Sequence, residues 1–518
     1  MSTQALSLSE CYEATCQASL QTEAVVIGVV AQDMAGCDQR SMVETVLFLE
    51  FVATSLNPKH LRLSPPSPKD VAMEPRYREA VNNASTELCQ ALMQDMPALL
   101  EQGLRLDALV RDVLRAVALV LLNALYQGLC GYLVEQATAR GLTVQNRPIV
   151  RFKTLYGEVE VESPYLRSPQ SGESARPMKD LLGVEGEHYS ETVQRALVDF
   201  GSEKSFARAA VSFEEHYGWQ VGRTPLRNQT LQAAQDAANY LDERLQQATG
   251  TYEQAGMAPP QVPTMLMGLD GCEIRTGVYM KAAEAGLSDR PAHQRVRVEN
   301  WRDVRTGLAR PLDADERLYV CRMDSYDEVL EQLFEVGCLQ GMTPRTQVVV
   351  PGDGAKGLRE AVVSVFPRAQ YILDHPHLKS HFYDTATALG LEDAERHQWV
   401  KDYMDQLWAC EIDEVLASLQ QQQEETANER LRQLIEHLWR FEDSVDYGAY
   451  HACGWPLGSG EIESAHRYIP QERLKIAGAC WNPANVNLML ALRVVRANHW
   501  WDEFWQWRVE RRQAPVEV

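Results

Sequence analysis

Three short strings in this chain carry carboxylates in settings where they could do chemistry. Asp270 stands before Gly271 at the end of the apolar stretch Thr264 to Leu269, and Asp353 lies between Gly352 and Gly354 after the β-branched run Gln347 to Val350. Glu461 and Glu463 fall in Gly458-Ser459-Gly460-Glu461-Ile462-Glu463, which opens a helical pattern. Carboxylates at the C-terminal ends of core strands point into the crevice where α/β sheets place ligands, and flanking glycines let a substrate approach. Two residues apart on a helix means about 200° apart, so only one glutamate can face a common site with the aspartates. Glu463 is the choice, because Ala465 and His466 continue its side, with Arg467 one turn later. Taken singly, Asp-Gly is ordinary turn chemistry and Gly-Ser-Gly-x-x-Glu an ordinary helix start. Only their convergence makes a site. Three convergent carboxylates without a Cys or His cluster are hard oxygen ligands, suited to Mg²⁺ or Mn²⁺ rather than zinc. Two such ions about 4 Å apart activate a water or a 3′-hydroxyl for attack on a phosphodiester.

The elements that must position these acids are legible in the pattern. Residues 1–145 read as helical, with Leu, Val and Ala at three- and four-residue spacing, and could serve oligomerisation. In 146–185 the period becomes strand-like, Val150, Phe152, Thr154 and Tyr156 alternating before Gly157 and Val159 and Val161 after it, which predicts a β-hairpin followed by a Ser/Pro/Gly-rich loop. Residues 186–255 predict three helices, with Ser190 and Ser205 as N-caps and Gly218 ending the middle one. From 260 to 377 the order is strands (Thr264 to Leu269, Ile274 to Ala282, Val296 to Val304, Leu318 to Cys321), helix, strand, helix, strand. That order predicts a ribonuclease-H-like mixed α/β core. Residues 378–452 predict a solvated helical insertion, since 391–450 hold fifteen acidic and five basic side chains. Residues 453–518 return to the core and end in helices, with Trp500, Trp501, Trp505 and Trp507 expected to pack internally.

Composition narrows the function. A chain of 518 residues, 45% apolar and 24% charged, is that of a globular protein rather than a disordered or disulfide-stapled one. Eleven cysteines without a Cys-x-x-Cys pair predict reduced thiols and no zinc ribbon. The apolar run Ala116 to Tyr126 is shorter than the roughly 20 residues a bilayer requires, and the first thirty residues lack a signal-peptide pattern, so a cytoplasmic protein is expected. Fifty basic against 72 acidic residues, a formal charge of −22, argues against indiscriminate nucleic-acid binding. Local clusters run the other way: Arg295, Arg297, Arg302, Arg305 and Arg310, and then Arg467, Arg473, Lys475, Arg493 and Arg496. Each could hold phosphate or simply pair with the abundant acids.

Several strings in order resemble one family. Gly268-Leu-Asp270-Gly, Gly352-Asp353-Gly-Ala, Ile372-Leu-Asp374 with His377, and Pro456-Leu-Gly-Ser-Gly-Glu-Ile-Glu463 are followed by Gln471-Glu-Arg-Leu-Lys475 and Gly478-Ala-Cys-Trp481. Together they are similar to the DDE transposases of bacterial insertion sequences, in particular the ISKra group. The hairpin Phe152 to Pro164 and Leu181-Leu-Gly183 resemble that group's upstream segment. The resemblance implies Asp270, Asp353 and Glu463 as the metal-binding triad, with Asp374, His377, Arg473, Lys475 and Trp481 near the site. It implies cleavage and strand transfer of double-stranded DNA at terminal inverted repeats by a homodimer or larger homo-oligomer. Relatives often carry a zinc-binding cysteine pair after the hairpin, which Tyr165 to Pro177 lacks. Pro470 is expected to kink or stop the helix after Glu463. For reading DNA, Ser205 to Tyr217 and the helix from Thr224 predict a helix-turn-helix with Arg223, Arg227, Asn228 and Gln229 at the start of its second helix and Arg467 as a phosphate contact, although a plain three-helix bundle gives the same pattern. The competing functions are a domesticated, non-catalytic regulator and a structure-specific nuclease.

Overall fold

The computed structural model describes residues 75–94, 96, 99, 103–182, 189–255 and 260–513. The helical expectation for the first 74 residues and the motif residue Gly183 lie outside them. Two units are distinguished, divided at Leu106 and Asp107. Within the described residues the first holds helix α1 (Pro75–Met93).

The second unit opens within α2 (Leu106–Ala139), at Asp107, followed by strands β1 (Thr143–Asn146), β2 (Ile149–Thr154), β3 (Gly157–Glu162), β4 (Tyr165–Arg167) and β5 (Ser174–Ala175). The hairpin pairs Val150 with Val161 and Phe152 with Val159. Period-2 alternation puts these four on one face, and they bury against Leu119, Leu122, Tyr126 and Val134 of α2. Asn123 and Gln127 accept from the backbone amides of Glu160 and Glu162, closing the edge of β3. The segment expected to be a loop instead forms a second small sheet, β4 between β1 and β5. Helix α2 also runs well past the apolar run that sequence singled out. At 34 residues it is long and apolar enough, by length and composition, to cross a membrane, and one side of it is spent on the hairpin.

After α3 (Pro177–Leu182) come α4 (Glu191–Glu203), α5 (Phe206–Tyr217) and α6 (Arg223–Ala255). Ser190 and Ser205 accept from Val193 and Arg208 amides, and Gly218 closes α5 in the left-handed conformation. Each such cap is worth about 1 kcal/mol. Val193, Leu197, Ala209, Phe213, Val221 and Leu226 form a small core of their own.

The main sheet has five strands in the order β10-β9-β6-β7-β8: β6 (Thr264–Lys281), β7 (Arg295–Pro311), β8 (Leu318–Arg322), β9 (Gln347–Gly352) and β10 (Gln370–Leu373). β6, β7 and β8 are antiparallel neighbours; β9 and β10 run parallel to β6. Val348, Val349 and Val350 are all buried, as a central parallel strand covered on both faces requires. α7 (Tyr326–Leu339) and α8 (Leu358–Val365) connect the strands, and a capping box on Ser325 and Glu328 starts α7. The sequence expectation broke β6 in two at Asp270-Gly271. The structure runs it unbroken through 18 residues, with β7 paired alongside from Lys281 to Met265, so Asp270 sits within a strand rather than at its end.

Helices α9 (His375–Ala388), α10 (Asp393–Trp408), α11 (Ile412–Thr426), α12 (Glu429–Arg440) and α13 (Tyr447–Ala452) form the acidic segment. It is more than a solvated insertion. Phe382, Val400, Leu407, Leu419, Leu434 and Leu438 join the principal core. α14 (Gly460–His466) leads into a π-helical turn, Arg467–Gln471, that contains Pro470, and α15 (Val486–Ala497) and α16 (Trp501–Gln513) close the chain. Trp500 and Trp505 are buried, and Trp507 stacks against Phe504.

Candidate active site

The two sequence-predicted aspartates stand equally far along the chain beyond the last β6–β9 pair. β6 and β9 pair Met265 with Val348 and Leu266 with Val349; four residues further on each strand stand Asp270 and Asp353. β9 and β10 pair Gly352 with Leu373, and the next residues are Asp353 and Asp374. Asp353 and Asp374 thus follow the paired ends of β9 and β10, and Asp270 stands on neighbouring β6, beyond its last pair with β9. The β6–β9 ladder ends at Leu266 and Val349, before either aspartate, and strand ends of this kind are where α/β sheets open a crevice.

Each acid is held differently. Asp270 accepts from the Gly271 amide at 2.7 Å and from His466 Nδ1 at 2.8 Å. Burial alone would raise its carboxyl, but the hydrogen bond and charge of His466, with the Gly271 amide, hold it below the usual carboxylate value. His466, which burial alone would lower, is raised to about 9 by Asp270 and Cys272, so the pair is an ion pair at neutral pH. Asp353 folds back to accept from the Ala355 amide at 2.9 Å. Its neighbour Gly354 has φ +77°, and a Cβ there would come within 2.9 Å of His437 and Leu373, so glycine is required on both counts.

Asp374 is almost wholly buried and saturated. Its Oδ1 accepts from the His377 amide at 2.8 Å and lies 3.0 Å from His377 Nδ1; its Oδ2 accepts from Ser459 N at 2.6 Å. Ser459 Oγ lies 2.7 Å from Asp374 Oδ2 and 3.2 Å from Glu463 Oε1, so its single proton can serve either carboxylate. These bonds outweigh burial and lower the Asp374 carboxyl; Asp374 in turn outweighs burial at His377 and raises it, with Glu463 and Asp353 adding to the effect. Ligand atoms of Asp374, His377 and Glu463 all lie within 4.8 Å of one another, close enough to share a cation.

The two glutamates of α14 are sorted by their partners. Glu461 is held by Arg310 at 2.7 Å and Arg317 at 2.8 Å, which keep it below the ordinary glutamate range. Glu463, exposed, shares Ser459 with Asp374 instead. α14 lies on β6 because Gly268 lets it approach: Ile462 Cβ stands 3.1 Å from where a Cβ would be.

The remaining motif residues do other work. Arg473 is buried between the rings of Phe206 and Trp481 and donates to the Gly201 carbonyl at 3.0 Å; burial, with Arg493 nearby, lowers it to about 10. Trp481 exchanges backbone hydrogen bonds with β6, its amide donating to Arg275 and its carbonyl accepting from Gly277. Lys475 is exposed. Much of the arginine supply is consumed internally, Arg297 by Glu299, Arg305 by Asp303, Arg310 by Glu461, Arg493 by Glu203 and Arg496 by Asp199. At the start of α6, Arg223, Arg227 and Asn228 are exposed and Gln229 half-buried, and Arg467 is exposed on the π turn.

Sequence reasoning missed Ser459 and His437. The i, i+4 spacing of Ser459 and Glu463 was available as a signal. His437 had none, since the acidic segment brings it against Gly354 from 83 residues away (354 to 437), where burial, His381 and Arg440 lower it to about 4.

No family model matches the chain, and no curated protein does. Among solved structures it is similar to the Drosophila P element transposase strand transfer complex, with 8% identity over 63% of this chain and 82% of that one, at a TM-score of 0.22. A likeness that loose decides neither fold nor activity.

Proposed function

We propose that the chain is a transposase of the insertion-sequence kind, binding terminal inverted repeats and cutting and joining DNA strands at the acid site. The observation that carries the reading is the link from Asp374 through Ser459 to Glu463, with Asp353 and Asp374 just past the ends of paired β9 and β10 and Asp270 on neighbouring β6. The strand order, an antiparallel meander followed by two parallel strands on its far edge, supports a ribonuclease-H-like core. Among the described residues the ligand atoms grouped within 4.8 Å are those of Asp374, His377 and Glu463, a group that does not include Asp270 or Asp353; Asp270, Asp353 and Glu463, all oxygen donors, would suit Mg²⁺ or Mn²⁺ if drawn together around it. A bound pair supplies activation of the attacking oxygen and neutralisation of the leaving one. The chain's own part is positional. His466 and Gly271 aim Asp270, the Ala355 amide fixes Asp353, and Ser459 holds Glu463 against the buried Asp374. Arg223, Arg227, Asn228 and Gln229, with Arg467, are the proposed DNA contacts, and two ends require at least two copies of the chain.

Duplexes copied from the sequences that flank the gene, incubated with Mg²⁺ or Mn²⁺, test this. Nicking at a fixed 3′ end that vanishes in Asp353→Asn supports the reading; equal nicking by the variant overturns it.

A further inference from the structure

Beyond the acid site, β6 and β7 leave the sheet as a two-stranded ribbon. β9 stops pairing at Leu266 and β8 at Arg305, whereas β6 and β7 continue together to Lys281 and Arg295. Ten residues per strand at about 3.3 Å each make a projection of about 33 Å. Its root is braced rather than loose. Trp481 adds backbone bonds to Arg275 and Gly277, and at Gly277 a Cβ would lie 2.9 Å from Cys480 Sγ.

The ribbon's two faces differ in kind. Cross-strand partners share a face, so Arg275, Tyr279 and Lys281 stand beside Trp301, Arg297 and Arg295, with Glu299 the acid among them. Tyr279, whose hydroxyl meets Arg297 across the strand, is 62% exposed, and Trp301 is 56% exposed. Glu299 is shared by Arg275 and Arg297, which leaves one charge in excess. At the far end Lys281 lies directly opposite Arg295, a like-charge pair that costs stability in an isolated sheet. Across 275–302 six basic side chains face three acidic ones, the reverse of a chain with 50 basic and 72 acidic residues. Toward the acid site the ladder becomes acidic again, with Glu273 opposite Asp303.

We propose that this face is a phosphate-tracking arm that holds duplex DNA at a distance from the cleaved bond, a reading that rests on the proposed transposase function. Glu284 Oε2 accepts from the Lys281 amide at 3.1 Å and Arg295 donates to the Tyr279 carbonyl, but the like-charged Lys281 and Arg295 side chains find their counter-charge in the DNA backbone, and Tyr279 and Trp301 supply flat surface beside them. The arm shares a strand with Asp270. Arg275 to Lys281 lie five to eleven residues beyond it, about 16–36 Å, which matches about five to ten base steps at 3.4 Å.

The test compares the full-length chain with Lys281→Gln/Arg295→Gln. Both residues are exposed and, among the described residues, take part in no ion pair with an acid, so the thermal midpoint serves as a check that the fold is kept, and Lys281→Arg/Arg295→Lys restores the charge. Affinity for duplex ends is measured from 50 to 300 mM salt, with hydroxyl-radical footprinting. The expected result is a log–log salt slope shallower by about 1.8, an affinity lower by about 50-fold near 0.1 M, and protection lost five to ten base pairs from the nick, all recovered in the charge-restoring variant. An unchanged slope and footprint in the glutamine variant, while the parent chain still binds and nicks, overturns the arm and leaves the acid site standing. A parent chain that binds no DNA overturns both.

Discussion

The near and far parts of β6 behave as opposites. Around Asp270 both carboxylate oxygens have a partner, and the geometry is fixed from three directions by β7, His466 of α14 and the Gly271 amide. Ten residues on, Tyr279 and Lys281 stand in solvent beside a like-charged neighbour. One strand thus carries a pre-organised floor, where charge is neutralised within the protein, and an arm where it is left over. The contrast implies that substitutions near Asp270 should change rate, cation affinity and stability, whereas those on the arm should change how DNA is held.

The largest expected effect is on chemistry. Asp353→Asn should lower nicking by about a thousandfold, beyond the range of changes in supporting residues, while binding duplex ends within about twofold of the parent. Loss of binding alongside cleavage would erase the distinction between floor and arm. Ser459→Ala removes the hydroxyl between Asp374 and Glu463, and should weaken Mn²⁺ affinity, measured by calorimetry, by about 10–100-fold. Unaltered affinity would mean that Glu463 needs no support.

Stability should then depend on pH through the floor. His466 is raised to about 9 in the folded chain from an ordinary value of 6.5, so its contribution is complete below pH 6.5 and is lost as pH rises through about 9. Asp270 is lowered, so its share is present above the ordinary carboxylate value and fades as pH falls through the folded one. In chelator, urea unfolding should show about 2–3 kcal/mol less stability at pH 9.5 than at pH 6.5, and His466→Gln should flatten that limb. The smallest effect is expected at the root of the arm. Gly277→Val places a branched side chain against Cys480 and should cost about 1–2 kcal/mol, read as faster amide exchange in 275–281 with nicking preserved. Exchange unchanged there would show that the brace is dispensable.

Sequence carried the local rules well and the long-range ones poorly. Caps at Ser190, Ser205 and Gly218, the hairpin pairing at Phe152 and Val159, and the alternation of strands and helices from Leu318 to Leu373 are short-range patterns, and the structure has them where periodicity put them. Asp270-Gly271 misled because the same dipeptide that ends strands also occurs within one when a neighbour continues alongside. The acidic segment misled because charge counts ignore phase: its leucines at three- and four-residue spacing face the core while its glutamates face water. The preference for Glu463 over Glu461 could be argued from helix phase. What Glu461 does instead, pairing with Arg310 and Arg317 some 150 residues earlier, could not.

The π turn at Arg467–Gln471 has a further consequence for how this chain tolerates change in length. A widened turn takes up one residue more than an α-helical turn, so everything downstream is rotated relative to α14. That rotation is what carries Arg473 inward to lie between Phe206 and Trp481 instead of continuing on the flank of Glu463. Deleting a single residue here would tighten the coil to ordinary pitch and swing a guanidinium out of its aromatic slot, dislodging the loop that buttresses the projecting ribbon. The surplus residue works as a phase adjuster, coupling the spacing of the chain's last helices to the aim of an arm more than 170 positions earlier.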